Sequence, residues 1–174
     1  MERNVNIVTD LNGKKLVLIN DIQFKGRQHI DWDDVENYVK QYVGDFIEIS
    51  ETGDIVYIGT DLPDEYAGSK YTAKLKGAIA KAKDNAAQGI PEMIEIARNK
   101  RFKENLEEKH QHNARFGWYR YDTQFALPVY DQKGEVSRYN VFHAELVIRH
   151  SKDGKLYLYD VINAKKETGT PLKQ

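Results

Sequence analysis

From Gly117 onward the chain takes up a hydrophobic period of two, and nothing else in the sequence restricts its fold as much. Tyr119, Tyr121, Thr123, Phe125 and Leu127 alternate with Arg120, Asp122 and Gln124, the spacing of a half-buried strand. Asp131-Gln132-Lys133-Gly134 turns the chain, Val136 to His150 forms a long second strand, and Ser151-Lys152-Asp153-Gly154 turns it again. Leu156 to Asn163 then closes a three-stranded antiparallel meander, followed by a loosely ordered tail from Lys165 to Gln174.

The first 60 residues read as a ββαββ module. Val5 to Asp10 and Lys14 to Ile19 flank Leu11-Asn12-Gly13, and Asn-Gly takes the positive φ angles of a tight hairpin. Asp31 is an N-cap, Asp33 and Asp34 suit the first turn, and Trp32, Val35, Val39 and Val43 supply an apolar stripe that ends at Gly44. Phe46 to Ser50 and Ile55 to Ile58 form a second hairpin across Glu51-Thr52-Gly53-Asp54.

Residues 59–69 collect turn formers, which places a module boundary there: 1–60, then 61–174. From Lys70 the period is helical, with Leu75, Ile79, Ala82 and Ala86 on one face, and Gly89 with Pro91 stops and restarts it. The second helix carries Met93, Ile94 and Ala97 inward, is broken at Asn99-Lys100-Arg101, and resumes at Phe102, Leu106 and His110 as a kink or a further helix. The fold expected is therefore α+β: the N-terminal ββαββ module, two or three helices, and the meander.

Composition bounds the chemistry. With no cysteine the chain has no disulfide, no thiolate metal site and no thiol nucleophile, and without an apolar run of about 20 residues it reads as a cytoplasmic chain with no membrane partner. Net charge is −1, unevenly spread: residues 1–66 carry 6 Lys+Arg against 14 Asp+Glu, whereas residues 70–115 carry 11 against 6. The basic middle meets either an anion such as nucleic acid or the acidic first third of its own chain.

Strand parity points to a site. Phe142, Ala144, Leu146 and Ile148 share one face of the middle strand, so His143, Glu145 and Arg149 share the other. Pairing Tyr130 with Glu135 sets Asp122 opposite His143 and Arg120 opposite Glu145, with Tyr157 and Tyr159 on the same face. His143, Glu145, Arg120 and Arg149 are thus candidate catalytic residues for metal-independent RNA cleavage: a base on the 2′-OH, an acid on the leaving oxygen, and Arg at the phosphoryl group. Cross-strand salt bridges on a solvated face explain the same pattern. Tyr157 and Tyr159 are candidates to stack bases, and Lys70, Lys74, Lys81 and Arg101 to meet phosphates, Lys70, Lys74 and Lys81 as one ridge along the first helix. No metal site or cofactor is expected. His110 and His112 point about 200° apart on a helix, and His143-x-Glu145 lacks a third ligand.

The stretches GSKYTAKLKGAIAKAKDNAAQGIPEMIEIARNKRF, KHQHNARFGWYRYDTQFALPVYD and YNVFHAELVIRHSKDGKLYLYDVINAKKETGTPL resemble the large polyvalent protein-associated domain family, the third of that series, over residues 60–172. The resemblance implies a module of the very large proteins that phages and conjugative elements deliver with their DNA. It also implies a ribonuclease fold of the barnase, colicin and RelE type. Two functions follow: an endoribonuclease or toxin-like effector, or a non-enzymatic accessory or anti-defence module that binds RNA or another nucleic acid, or a host protein.

Overall fold

The computed structural model describes residues 3–26, 29–103 and 116–167. Its strands are β1 (Val5–Thr9), β2 (Lys15–Ile19), β3 (Phe46–Glu48), β4 (Ile55–Tyr57), β5 (Arg98–Lys103), β6 (Trp118–Tyr130), β7 (Val136–His150) and β8 (Leu156–Lys166). The helices are α1 (Trp32–Val39), α2 (Leu62–Gly68), α3 (Lys70–Ala73), α4 (Gly77–Ala86) and α5 (Ile90–Glu95).

All eight strands form one mixed sheet in the order β1-β2-β6-β7-β8-β4-β3, with β5 beside the start of β6. The meander β6–β7–β8 is antiparallel, and the two N-terminal hairpins flank it: β2 joins β6 in parallel at Val17 and Phe125, and β4 joins β8 in parallel at Val56 and Leu156. This overturns the barnase-like order of a ββαββ module followed by helices and a separate meander; the protein is a curled half-barrel, mostly strand, with short helices. The physical reason is edge pairing. A three-stranded meander leaves two open edges: the second hairpin covers the β8 edge, and the first hairpin shares the β6 edge with β5, each hairpin burying its own apolar face.

One core cluster draws Val17 and Ile19 from β2, Val56 from β4, Tyr121 and Phe125 from β6, Phe142, Leu146 and Ile148 from β7, and Leu158 and Val161 from β8. Tyr66, Ala82, Ala86, Met93 and Ile94 of the helices fill the same cluster. Strands from nearly the whole width of the sheet thus converge on one interior, so the sheet curls around it and its other face is convex. Gly89 lets the helices approach: a Cβ there would meet Val17 Cγ1 at 2.9 Å. A smaller apolar cluster, Leu16, Leu18, Ala126, Tyr139 and Val141, lies on the outer face at the β1–β2 end.

Local structure departs from expectation in the helical third. Asp31 caps α1 as predicted, accepting from the N–H groups of Asp33 and Asp34. The turn-rich stretch after residue 59 holds α2, with Pro63 in its first turn, where the missing N–H costs nothing. The helix expected from Lys70 is broken between Ala73 and Gly77. Where a kink or a further helix was expected, Arg98–Lys103 is strand β5, turned at a bulge in which Asn99 takes φ 61°, a conformation that Asn tolerates. Leu106, His110 and His112 lie outside the described residues. Among the described residues, no helix is long and apolar enough to cross a membrane.

Candidate functional site

The outer face of β5, β6, β7 and β8 carries most of the predicted residues. Phe142, Ala144, Leu146 and Ile148 point into the core, while the side chains of His143, Glu145 and Arg149 are partly exposed on the opposite face. The register differs by two residues from the one expected: Asp122 faces Glu145, Gln124 faces His143 and Arg120 faces Val147. The cause is the turn. Asp131 and Glu135 close it, and an irregularity between Val129 and Tyr130 shifts every later pair. A shift of two preserves parity, so the faces are kept while the partners change.

At the centre of this face, Arg120 Nη1 donates to Glu145 Oε1 at 2.9 Å, and Arg101 Nη2 lies 3.7 Å from the same oxygen. Arg101 also donates to Asp122 Oδ1 at 2.9 Å, and Asn99 Nδ2 donates to Asp122 Oδ2 at 2.9 Å. Partial burial pushes the Asp122 carboxyl up, but these two donors outweigh it and hold the group below the ordinary carboxylate range. Arg101, expected at a break in the helical stripe, reaches this cluster because β5 pairs with β6 through Arg101 and Arg120.

His143 is not brought into the cluster. Its imidazole is 45% exposed with Nε2 3.5 Å from Glu167 Oε1, and the neighbouring Gln124 is buried beneath the first hairpin, donating to Asp10 and to the Lys15 carbonyl. Arg149 stands at the other end of the face, paired with Asp61, donating from Nε to Ser151 Oγ at 2.8 Å and lying 5.0 Å from the Tyr157 ring centroid. Tyr157 donates to Asp153 Oδ2 at 2.7 Å; that bond, with burial, raises its pKa, so it is a neutral phenol. Tyr159 packs edge-on against Trp118 at 5.0 Å, and burial raises its pKa too.

The expected lysine ridge does not exist. Lys70 lies in α3, Lys74 follows that helix and Lys81 lies in α4, across the break. Lys83, another lysine of that segment, is instead buried against Asp160.

Several outward residues escaped the sequence reading: Phe46, Tyr57, Arg98, Lys103 and Trp118. Tyr57 alternates with the core residue Val56, and Trp118 with Tyr119, which packs against the core. Parity within the second hairpin was the signal available for Phe46 and Tyr57. Among the described residues, no group of three or more His, Asp or Glu side chains is arranged to hold a metal ion. No family model, curated protein or solved structure matches the chain.

Proposed function

We propose that the protein binds nucleic acid on the outer face of β5–β7 without cleaving it. The observation carrying this reading is the fixed array of guanidinium groups on one convex face: Arg101 and Arg120 meet at Glu145, and Arg149 is anchored by Asp61 and Ser151. A guanidinium has five N–H donors in a planar fork, and carboxylates that engage one edge leave the other pre-oriented for a phosphate. Arg98 and Lys103 add charge beside Asp122 and Trp118, their strand partners.

Cleavage is less well served. An acid and a base must both reach the reacting atoms, whereas Glu145 is engaged by two arginines and His143 sits beside Glu167. The likeness to the polyvalent-protein domain supplies a setting for the proposal: a module of a phage or conjugative element acting on nucleic acid in the recipient cell.

The test is anisotropy of a dye-labelled RNA titrated with the full chain at several salt concentrations, with the RNA run on a gel afterwards. Expected are intact RNA, and affinity falling with salt at a log–log slope of about −2 to −3, as for three or four phosphates on a single strand. The double variant Arg101→Ala/Arg120→Ala should flatten that slope, and His143→Ala should not. Absence of binding at about 50 mM salt, or cleavage abolished by His143→Ala, overturns the proposal. Capture of a host protein with a flat salt response does so as well.

A further inference from the structure

One register row crosses the outer face, taking a single side chain from each of six adjacent strands: Phe46, Tyr57, Tyr157, Arg149, Trp118 and Lys103. Each is the Cα partner of the next, through β3, β4, β8, β7, β6 and β5. Ring centroids are 5.9 Å apart between Phe46 and Tyr57 and again between Tyr57 and Tyr157, and Arg149 continues the series over Tyr157 at 5.0 Å. Strands about 4.8 Å apart make the row roughly 24 Å long.

Cross-strand aromatic pairs stabilise a sheet by about 0.2–1 kcal/mol each, which accounts for pairs but not for their alignment with cations on the solvent side. Phe46 ends the row on the edge strand with 66% of its surface exposed. The row itself contains no carboxylate; Asp61 and Asp153 reach Arg149 and Tyr157 from the loops.

We infer that this row is a track for single-stranded nucleic acid, with bases stacked on its rings and phosphates met by Arg149 and Lys103. This rests on the nucleic-acid reading above and adds strandedness, path and length. Rings accept only bases whose faces are free, so unpaired strands fit and duplexes do not. A track of this length holds about four to six nucleotides, the lower end of the range for sheet-based single-strand sites. RNA and single-stranded DNA share this chemistry.

The experiment uses the full chain carrying Trp32→Phe, which leaves Trp118 as the one indole. Its fluorescence, and the anisotropy of a 5′ dye, are followed with oligouridylates of about two to twelve nucleotides, matching oligothymidylates and an RNA duplex. Trp118 should be quenched, affinity should climb to about six nucleotides and then level, and the duplex should bind at least about tenfold more weakly. Tyr57→Ala should weaken binding about 5- to 100-fold, with Tyr57→Phe restoring it, since stacking needs the ring and not the hydroxyl; melting curves check that both variants fold. A preference of uridylate over thymidylate assigns the track to RNA, and equal binding assigns it to single strands of either kind. If nucleic acid binds and depends on Arg101 and Arg120, but Trp118 is unquenched, Tyr57→Ala is silent or the duplex binds equally well, the track is wrong and the broader reading stands. If no nucleic acid binds at low salt, both fall.

Discussion

Lys83 and Asp160 meet at 2.7 Å with only 3% and 0% of their side chains exposed, joining α4 to β8 inside the core. Burial draws the Lys83 ammonium below and the Asp160 carboxyl above their ordinary values, and their mutual attraction opposes both shifts. Ser69 donates to Asp160 Oδ2 at 2.8 Å and Lys83 donates to Thr72 Oγ1 at 2.6 Å, so neither charge depends on its partner alone. Removing one partner strands the other: Lys83→Met or Asp160→Leu should each cost about 3–5 kcal/mol in urea unfolding. The double variant should recover much of that loss, and a strictly additive loss would show that the two are not coupled.

Glu145 carries two arginines on a half-exposed surface, where ion pairs are worth about 0–1 kcal/mol. Glu145→Gln should therefore leave stability within about 1 kcal/mol while strengthening RNA binding and steepening its salt dependence, because a carboxylate facing the phosphates is lost. A general base at this position predicts the opposite, loss of an RNA-cleaving activity with affinity kept.

Asp84 is buried on α4, with Oδ1 accepting from Asn85 Nδ2 and Oδ2 without a hydrogen-bond partner among the described residues. Burial pushes its carboxyl up to about 8. The folded state therefore keeps this proton while the unfolded chain releases it near the ordinary carboxylate value. Between about pH 4 and pH 8 the native state binds the extra proton, so this group lowers stability progressively as pH rises. Asp84→Asn removes the effect: thermal melts should show a gain over the parent that is small near pH 4 and grows to its full size by about pH 8. A gain independent of pH would mean that Asp84 titrates alike in both states.

Gly117 opens β6 with φ +95°, and an added Cβ would lie 2.8 Å from Phe102 Cε1. Gly117→Ala combines a disfavoured backbone with a clash against β5, for an expected loss of about 1–3 kcal/mol. Gly134→Ala, where nothing lies within 4 Å, isolates the backbone part. Equal denaturant midpoints for the two variants would remove Phe102 from the explanation.

The meander was legible because its signal is local: alternation along each strand, and Asp-containing turns closed by Gly134 and Gly154. The face holding His143, Glu145 and Arg149 followed from parity alone, which a two-residue register shift cannot disturb. Strand partners were not legible, since a bulge beside Tyr130 leaves no mark in a hydrophobic pattern. β5 was hidden for another reason. RNKRFK has no β-branched residue, and it is a strand because β6 offers it hydrogen bonds and Asn99 adopts a left-handed turn. The stretch read as turns at a module boundary holds α2 because Leu62 and Tyr66 are needed in the core, a tertiary demand that outweighs turn propensity. The cross-sheet aromatic row was invisible for the same reason as the parallel pairings: its members come from six strands whose order in the sheet is not their order in the chain.

The parallel contacts of β2 with β6 and of β4 with β8 join segments roughly 100 residues apart, so their loop entropy must be met before any reward. During synthesis the two early hairpins emerge long before the strands they will lie against, with Val17, Ile19 and Val56 uncovered. Until those strands are made, the nascent hairpins form a sticky, incomplete ribbon. Shelter of those apolar edges, by a chaperone or by the ribosome surface, is what this topology asks of the cell that makes it.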